Sequence, residues 1–371
     1  MTEREFEKYF RRSVKVEFEP SPPEGFSGAV VIPALGEGAT LYELLRQLQD
    51  STFCVVLAVN DREDSKEEYK QLNAELLRRL RAGDFPGVYW LDLTGGRRLP
   101  TAGVGAVRRA AMDAALSSLA TPENVENIIL ASLDADTLVD SDYAESIQQA
   151  FVDHPEWRAL TLNFHHRADT PEEEAAVRIY EAYLRDYRDG LRSAGSPYAY
   201  IPIGSAFAVR GSSYIACGGM RLREGGEDFY FLQAVRKLGV IGELTESFVY
   251  PSARPSDRVP FGTGPRIRSI VAGAECKIEH DLAFSELKLA ISGVFLPSNL
   301  AEFSELPAFF AENLSPKAQE YFKLNNFEQA WQRILSNAGN DDIDKLRWRF
   351  FEWFDAFRTL KFINHLNSKD V

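Results

Sequence analysis

Cysteine, methionine and histidine are all scarce, with three, three and five residues in a chain of 371. Cys54, Cys217 and Cys276 lie far apart without metal-ligand spacing, and an odd count leaves no basis for a disulfide framework. With no secretory signal in view, a reducing, cytoplasmic location is the expectation. The histidines show no ligand spacing either, and the neighbouring pair His165 and His166 is expected to be structural. Positive charge is short as well: the formal net charge of −13 argues against a nucleic-acid partner. No apolar run is long enough to cross a bilayer, the LAISGVF stretch near 289–295 falling well short, so any membrane association would be peripheral. Internal repeats and low-complexity tracts are missing too.

What is present suits a packed enzyme-sized fold. Apolar residues make up 45% of the chain and aromatics 12%, enough for one large α/β domain with appendages or for two domains. The opening MTEREFEKYF pairs Thr2 with Glu5 as a capping box ahead of a short helix. From there strand and helix signals alternate. GAVVIPA (28–34), FCVVLAV (53–59), VYWLDL (88–93), 127–133 and RALTLNF (158–164) read as strands. Helical patterns separate most of them, including a charged helix near 65–82 and a glycine-led one in GVGAVRRAAMDAAL. Such alternation predicts a mainly parallel sheet with helices on both faces. Sheets of this kind bind ligands beyond the carboxyl ends of their strands. The polar groups here fall at those ends: Pro33 to Glu37, Asn60 and Asp61, the 94–105 loop, and Asp134 with Asp136.

The last pair raises the sharpest question. IILASLDADTLVDSDY runs from an apolar strand straight into two carboxylates, which repel and lose hydration unless something positive joins them. Asp-x-Asp alone is weak evidence, since roughly one is expected by chance in an acidic chain of this size. Asp140/Asp142 and Asp342/Asp344 repeat the spacing in polar stretches that read as helix starts. Only Asp134/Asp136 follows a strand fit to be central.

In their order along the chain, AVVIPALGEG, GVGAVRRAAMDAAL, LASLDADTLVDSDYAESI, GSAFAVRGSSYIACGGM and GGEDFYFLQAVRKLG resemble the motifs of family-2 glycosyltransferases over about residues 28–250. The resemblance implies a GT-A, Rossmann-like α/β fold: an N-terminal helix and linker over 1–26, a catalytic domain over 27–265, and a helical C-terminal extension over 266–371 packed upon it. It implies metal-dependent, inverting transfer of a sugar from a nucleoside-diphosphate sugar to an acceptor hydroxyl. That acceptor, whether glycan, lipid-linked or small molecule, stays open, as do sugar, base and oligomeric state. By the same resemblance Asp136 ligates Mn²⁺ or Mg²⁺, with Asp134 beside the metal or the ribose. Asp228, with Glu227 next to it, matches the catalytic base. Pro33, Glu37, Asn60, Asp61, Arg108 and Asp134 fall at nucleotide-binding positions, although the family's usual Asn before Glu37 is Gly36 and its usual base-reading acid is Asn60.

Three expectations rest on local chemistry. Of Arg108 and Arg109 one should point inward, Arg108 by the match, and offer a phosphate contact. The Pro-, Gly- and Arg-rich 250–268 stretch reads as a long loop, with Arg254 or Arg258 meeting the diphosphate. The stripe Leu346, Phe350, Phe354, Phe357 and Leu360 reads as a packing face. Two rival functions remain. A sugar-1-phosphate nucleotidyltransferase would carry basic residues in the loop after the first strand, which ALGEGA lacks. A catalytically silent binding module is kept in play by Gly36 and Asn60.

Overall fold

The computed structural model describes residues 1–101, 103–223, 225–254, 262–276, 280–338 and 342–368. The chain packs as two units, Met1–Arg178 with Pro202–Ala274, and Ile179–Ile201 with Glu275–Val371.

The first unit is built on a nine-stranded sheet: β1 (Phe18–Glu19), β2 (Gly28–Ala34), β3 (Cys54–Asn60), β4 (Val88–Leu93), β5 (Ile129–Ser132), β6 (Leu138–Val139), β7 (Trp157–Phe164), β8 (Phe207–Arg210) and β9 (Val240–Tyr250). Their order is β1-β4-β3-β2-β5-β8-β7-β9-β6. The block β4-β3-β2-β5 is parallel throughout, and β7 runs parallel to β9. Every residue of β2 and β5 is buried, as near-continuous apolar strands between helical layers require. Helices α1 (Glu3–Phe10), α2 (Ala39–Gln47), α3 (Glu67–Arg81), α4 (Val104–Leu119), α5 (Tyr143–Asp153), α6 (Pro171–Ser193), α7 (Gly211–Ala216), α8 (Glu227–Arg236) and α9 (Thr263–Val271) complete the unit, α6 passing into the second unit after Arg178. The expected capping box closes the start of α1, where the Thr2 and Glu5 side chains cap each other's backbone N–H.

One strand end shapes everything that follows. The Val31 carbonyl accepts the Leu133 N–H at 3.1 Å, just past the end of β5. Backbone groups of alternate residues face the same neighbour, so Pro33 is the next to face that side. Proline has no N–H to donate, and β5 has already ended there, so the strand loses no ladder bond. The exits of β2 and β5 lie side by side, where sheets of this kind bind ligands.

GSSYIA, within the quoted GSAFAVRGSSYIACGGM motif, forms helix α7. Backbone bonds from Gly211 to Ile128 and from Ser212 to Val125 turn the chain out of β8 and start that helix. The expected loop over 250–268 is shorter, since α9 takes it from Thr263 onward; residues 255–261 lie outside the described residues.

In the second unit the latter part of α6 is joined by seven helices, α10 (His280–Phe295), α11 (Leu300–Ser304), α12 (Leu306–Asn313), α13 (Pro316–Leu324), α14 (Phe327–Ser336), α15 (Ile343–Trp353) and α16 (Ala356–Asn367). Its core is aromatic: Phe310 packs on Phe322 and Phe327 with ring centroids 4.6 and 5.0 Å apart, and the Trp331 indole N–H donates to the Phe303 carbonyl at 3.2 Å. The expected stripe packs as a core only in part. Leu346, Phe350 and Phe354 are buried, but Asp355 caps a new helix, and beyond it Phe362, Ile363 and Leu366 take over from Phe357 and Leu360.

Candidate active site

Asp134 and Asp136 stand just beyond β5, in a turn closed by the Thr137 N–H donating to the Asp134 carbonyl. Both side chains reach solvent, Asp134 more than Asp136. Beneath Asp134 lies Arg108 on α4, only 1% exposed. Its guanidinium donates to Asp134 at 2.8 Å, to the Gly204 carbonyl at 3.1 Å and to the Ser132 hydroxyl, and stands 3.5 Å from Glu227. Burial works against this charge, but Asp134 and Glu227 outweigh it and hold Arg108 more firmly protonated than usual. Arg108 thus points inward as expected; its two terminal nitrogens donate to protein acceptors, while its buried Nε has no hydrogen-bond partner among the described residues. Arg109 is half-buried rather than a solvated face residue, and its guanidinium donates to the Met220 carbonyl at 3.1 Å.

Glu227 and Asp228 open helix α8 after Gly226, whose φ of +68° suits glycine. Gly105 explains how α8 comes so close. A side chain there would start 2.5 Å from the Arg221 carbonyl oxygen and 3.1 Å from the Glu227 Cβ. Gly105 therefore allows close packing of α4 against the approach to α8. The Phe229 N–H donates to Asp228 at 2.7 Å. Enclosure by protein, reinforced by the negative charge of Glu227, nonetheless pushes the Asp228 carboxyl up to about 7.

Gly204 forms the floor between the two acid groups. The point where its side chain would begin lies 3.7 Å from an oxygen of Asp134, 3.7 Å from an oxygen of Asp228 and 3.1 Å from Arg108. The two carboxylates therefore cannot be separated by more than twice that 3.7 Å. Groups nearly a hundred residues apart in sequence thus share one cleft, and any side chain at 204 would intrude on it.

The exits of β2 and β3 supply the other wall. Glu37, 6% exposed, accepts from Arg254 at 2.9 and 3.2 Å, and the same Arg254 nitrogen lies 3.1 Å from Asp136. Arg167 fixes the backbone there by donating to the Asp136 carbonyl at 2.8 Å. Asn60 spends its amide donors on the Ala34 and Ala58 carbonyls at 2.8 and 3.3 Å. Asp61 is held by Arg98 and by the Gly95 N–H. Pro33 is buried within β2. Arg258 lies outside the described residues.

Four residues of this site had not been singled out from the sequence. Gly204 had a signal, since it opens the quoted GSAFAVR motif. Arg167, Asn73 and Tyr69 had none. Asn73 accepts the Gly36 N–H at 2.9 Å and donates to the Asn60 carbonyl at 2.7 Å, tying the β2 and β3 exits together. Tyr69 accounts for Gly36: a side chain there would start 2.6 Å from the tyrosine ring, and φ is +61°. His166 is buried, beside the Thr263 hydroxyl at 3.3 Å and the Phe164 ring, in the structural role expected for it. The Asp140/Asp142 stretch does lead into a helix, with Asp142 at the N-cap of α5, while Asp140 accepts from the Phe248 N–H and the Tyr250 hydroxyl, bracing β6 against β9. Asp342 does cap one.

No protein-family profile and no curated protein matches the chain. Similar solved structures include S. aureus TarS 1-349 in complex with UDP-GlcNAc, at 14% identity over 89% of this chain and 91% of that one, TM-score 0.42. Another is the mannosyltransferase PcManGT from Pyrobaculum calidifontis in complex with GDP-Man and Mn²⁺, at 13% identity over 99% and 95%, TM-score 0.42. A likeness at this level of overlap bears on neither substrate nor chemistry. Among the described residues no helix is long and apolar enough to cross a membrane.

Proposed function

We propose that the chain is a GT-A glycosyltransferase of the family-2 type that moves a sugar, with inversion, from a nucleoside-diphosphate donor to an acceptor hydroxyl. The observation that carries this reading is the shared floor at Gly204, which joins the acids beyond β5 to a carboxyl of raised pKa at the start of α8. Donor acids and an acceptor base on one cleft are what direct displacement at a sugar carbon needs.

A divalent cation fits the donor set. Asp136 and Asp134 offer hard oxygens open to solvent, and no group of three or more ligating side chains stands together among the described residues. Mg²⁺ and Mn²⁺ suit such a half-site, because one or two carboxylates plus phosphate oxygens and water complete their shell. When bound, the cation offsets the charge gathering on the departing diphosphate.

The protein's own residues do the rest. Arg108 holds Asp134 in place from below while Arg167 holds the backbone of Asp136. Asn60, Asp61 and Glu37 line the side where a nucleoside would lie. Asp228 takes the proton of the acceptor hydroxyl as it attacks the anomeric carbon, and Glu227, tied to Arg108, keeps the start of α8 against the cleft.

Incubation with a panel of UDP- and GDP-sugars and Mn²⁺ tests the reading through slow nucleotide release by hydrolysis. Release that disappears in Asp136→Ala and Asp228→Asn, with folding intact, is the expected result. Nucleotide binding without turnover across a broad acceptor panel would make the protein a binding module instead.

A further inference from the structure

Arg254 stands beside Asp136, the acid read above as a cation ligand. A single guanidinium nitrogen lies 2.9 Å and 3.2 Å from the two oxygens of Glu37 and 3.1 Å from Asp136. The two carboxylates come from different strand exits, and this nitrogen places a positive charge between them. Its two partners differ. Glu37 is nearly closed to solvent, at 8% side-chain exposure, and takes the arginine through both oxygens; Asp136, at 23%, is touched once. Arg254 itself is 39% exposed, so its hold on Asp136 is of the weak, solvent-screened kind. The Asp136 backbone is pinned independently by Arg167 and need not shift when the arginine leaves.

We propose that Arg254 is a resident counter-ion for Asp136 that an incoming divalent cation must displace. It pivots on Glu37 as it goes, and its guanidinium is handed to the donor diphosphate. This rests on the cation-dependent reading above. A lone cation must break the Arg254 contact without compensation, whereas a cation arriving with a diphosphate gives the arginine a new anion. Cation and donor therefore load together, and each strengthens the other's binding by the same factor. The positive charge that guards the acids without donor becomes a phosphate contact with it.

The test uses the full chain and Mn²⁺ alone, with free Mn²⁺ read by electron paramagnetic resonance. Arg254→Gln is expected to bind Mn²⁺ about fivefold tighter than wild type, the equivalent of losing one exposed ion pair. Arg254→Lys is expected between the two, because it keeps the charge on a shorter side chain whose ammonium reaches less far toward the two carboxylates. Asp136→Asn should abolish binding in every background. Arg98→Gln removes a positive charge at the neighbouring strand exit and controls for the general field, so its affinity should stay near that of wild type. The proposal is overturned if Arg254→Gln binds no tighter, or if Arg98→Gln tightens binding equally, while Asp136→Asn still abolishes it; the cation-dependent reading then survives. If neither wild type nor Arg254→Gln takes up Mn²⁺, with or without UDP or GDP, that reading fails and the proposal with it.

Discussion

Asp134 and Asp136 are two residues apart and each meets an arginine, yet the two pairs are built in opposite ways. Arg108 is sealed beneath Asp134, bonded also to Ser132 and Gly204 and close to Glu227. Arg254 lies half open to water and bridges Asp136 to Glu37 through one nitrogen. A buried charge that loses its partner is left unpaired and unhydrated, as Glu227 would be without Arg108, a cost of about 3–5 kcal/mol, whereas exposed pairs are worth about 1 kcal/mol or less. The first pair is therefore scaffold and the second exchangeable. A site that must keep its acids together, yet release one of them to a ligand, needs both kinds.

The sharpest way to break this contrast begins with Asp228, the proposed base beside that scaffold. Asp228→Asn should lower transfer by about 10²- to 10⁴-fold with the fold intact, measured as turnover beside a circular dichroism melt. Arg108→Met should come next, with a loss of about 3 kcal/mol in denaturant unfolding, because Asp134, Glu227 and Asp228 are left facing one another. If Arg108→Met unfolds like wild type, the scaffold half of the comparison is wrong.

The pH profile follows. Only ionised Asp228 can accept a proton, so the rate should fall about tenfold for each unit of pH below about 7. The effect on stability has the opposite sign. With its pKa raised in the folded state, Asp228 binds more protons folded than unfolded between about 4 and 7, and stability drops as pH rises through that window. Asp228→Asn should therefore melt above wild type at pH 8, with the gap closing by pH 4. The smallest effect belongs to Arg254→Gln, which should change unfolding free energy by about 1 kcal/mol or less. A loss as large as that of Arg108→Met would erase the distinction between the two pairs.

Much of this architecture could be read from residue order because its signals are local. Apolar runs of strand length ending in turn residues mark β2, β3, β4 and β5, and the acids at their exits mark the crevice. What escaped the reading depends on tertiary pairing. Strand β9, eleven residues of mixed polarity, gave no clean alternation, and it pairs with β7 through two register shifts that scramble the period. In the last helices an apolar stripe at helical spacing runs on past Asp355, where the backbone breaks and a new face turns inward. The site shows the same divide. Asp134, Asp136, Glu227 and Asp228 announce themselves through context, whereas Arg167 and Tyr69 matter only through what folding sets beside them. Gly36 is the instructive case: in sequence it is a missing side chain, and in the fold it is the space occupied by a tyrosine ring.

Crystals grown with Mn²⁺ and either UDP or GDP, measured at the manganese absorption edge, address the central claim most directly. The account predicts an anomalous peak about 2 Å from an oxygen of Asp136 and from a diphosphate oxygen, with the diphosphate in the cleft floored by Gly204. A diphosphate bound elsewhere, or manganese bound away from Asp136, would contradict it.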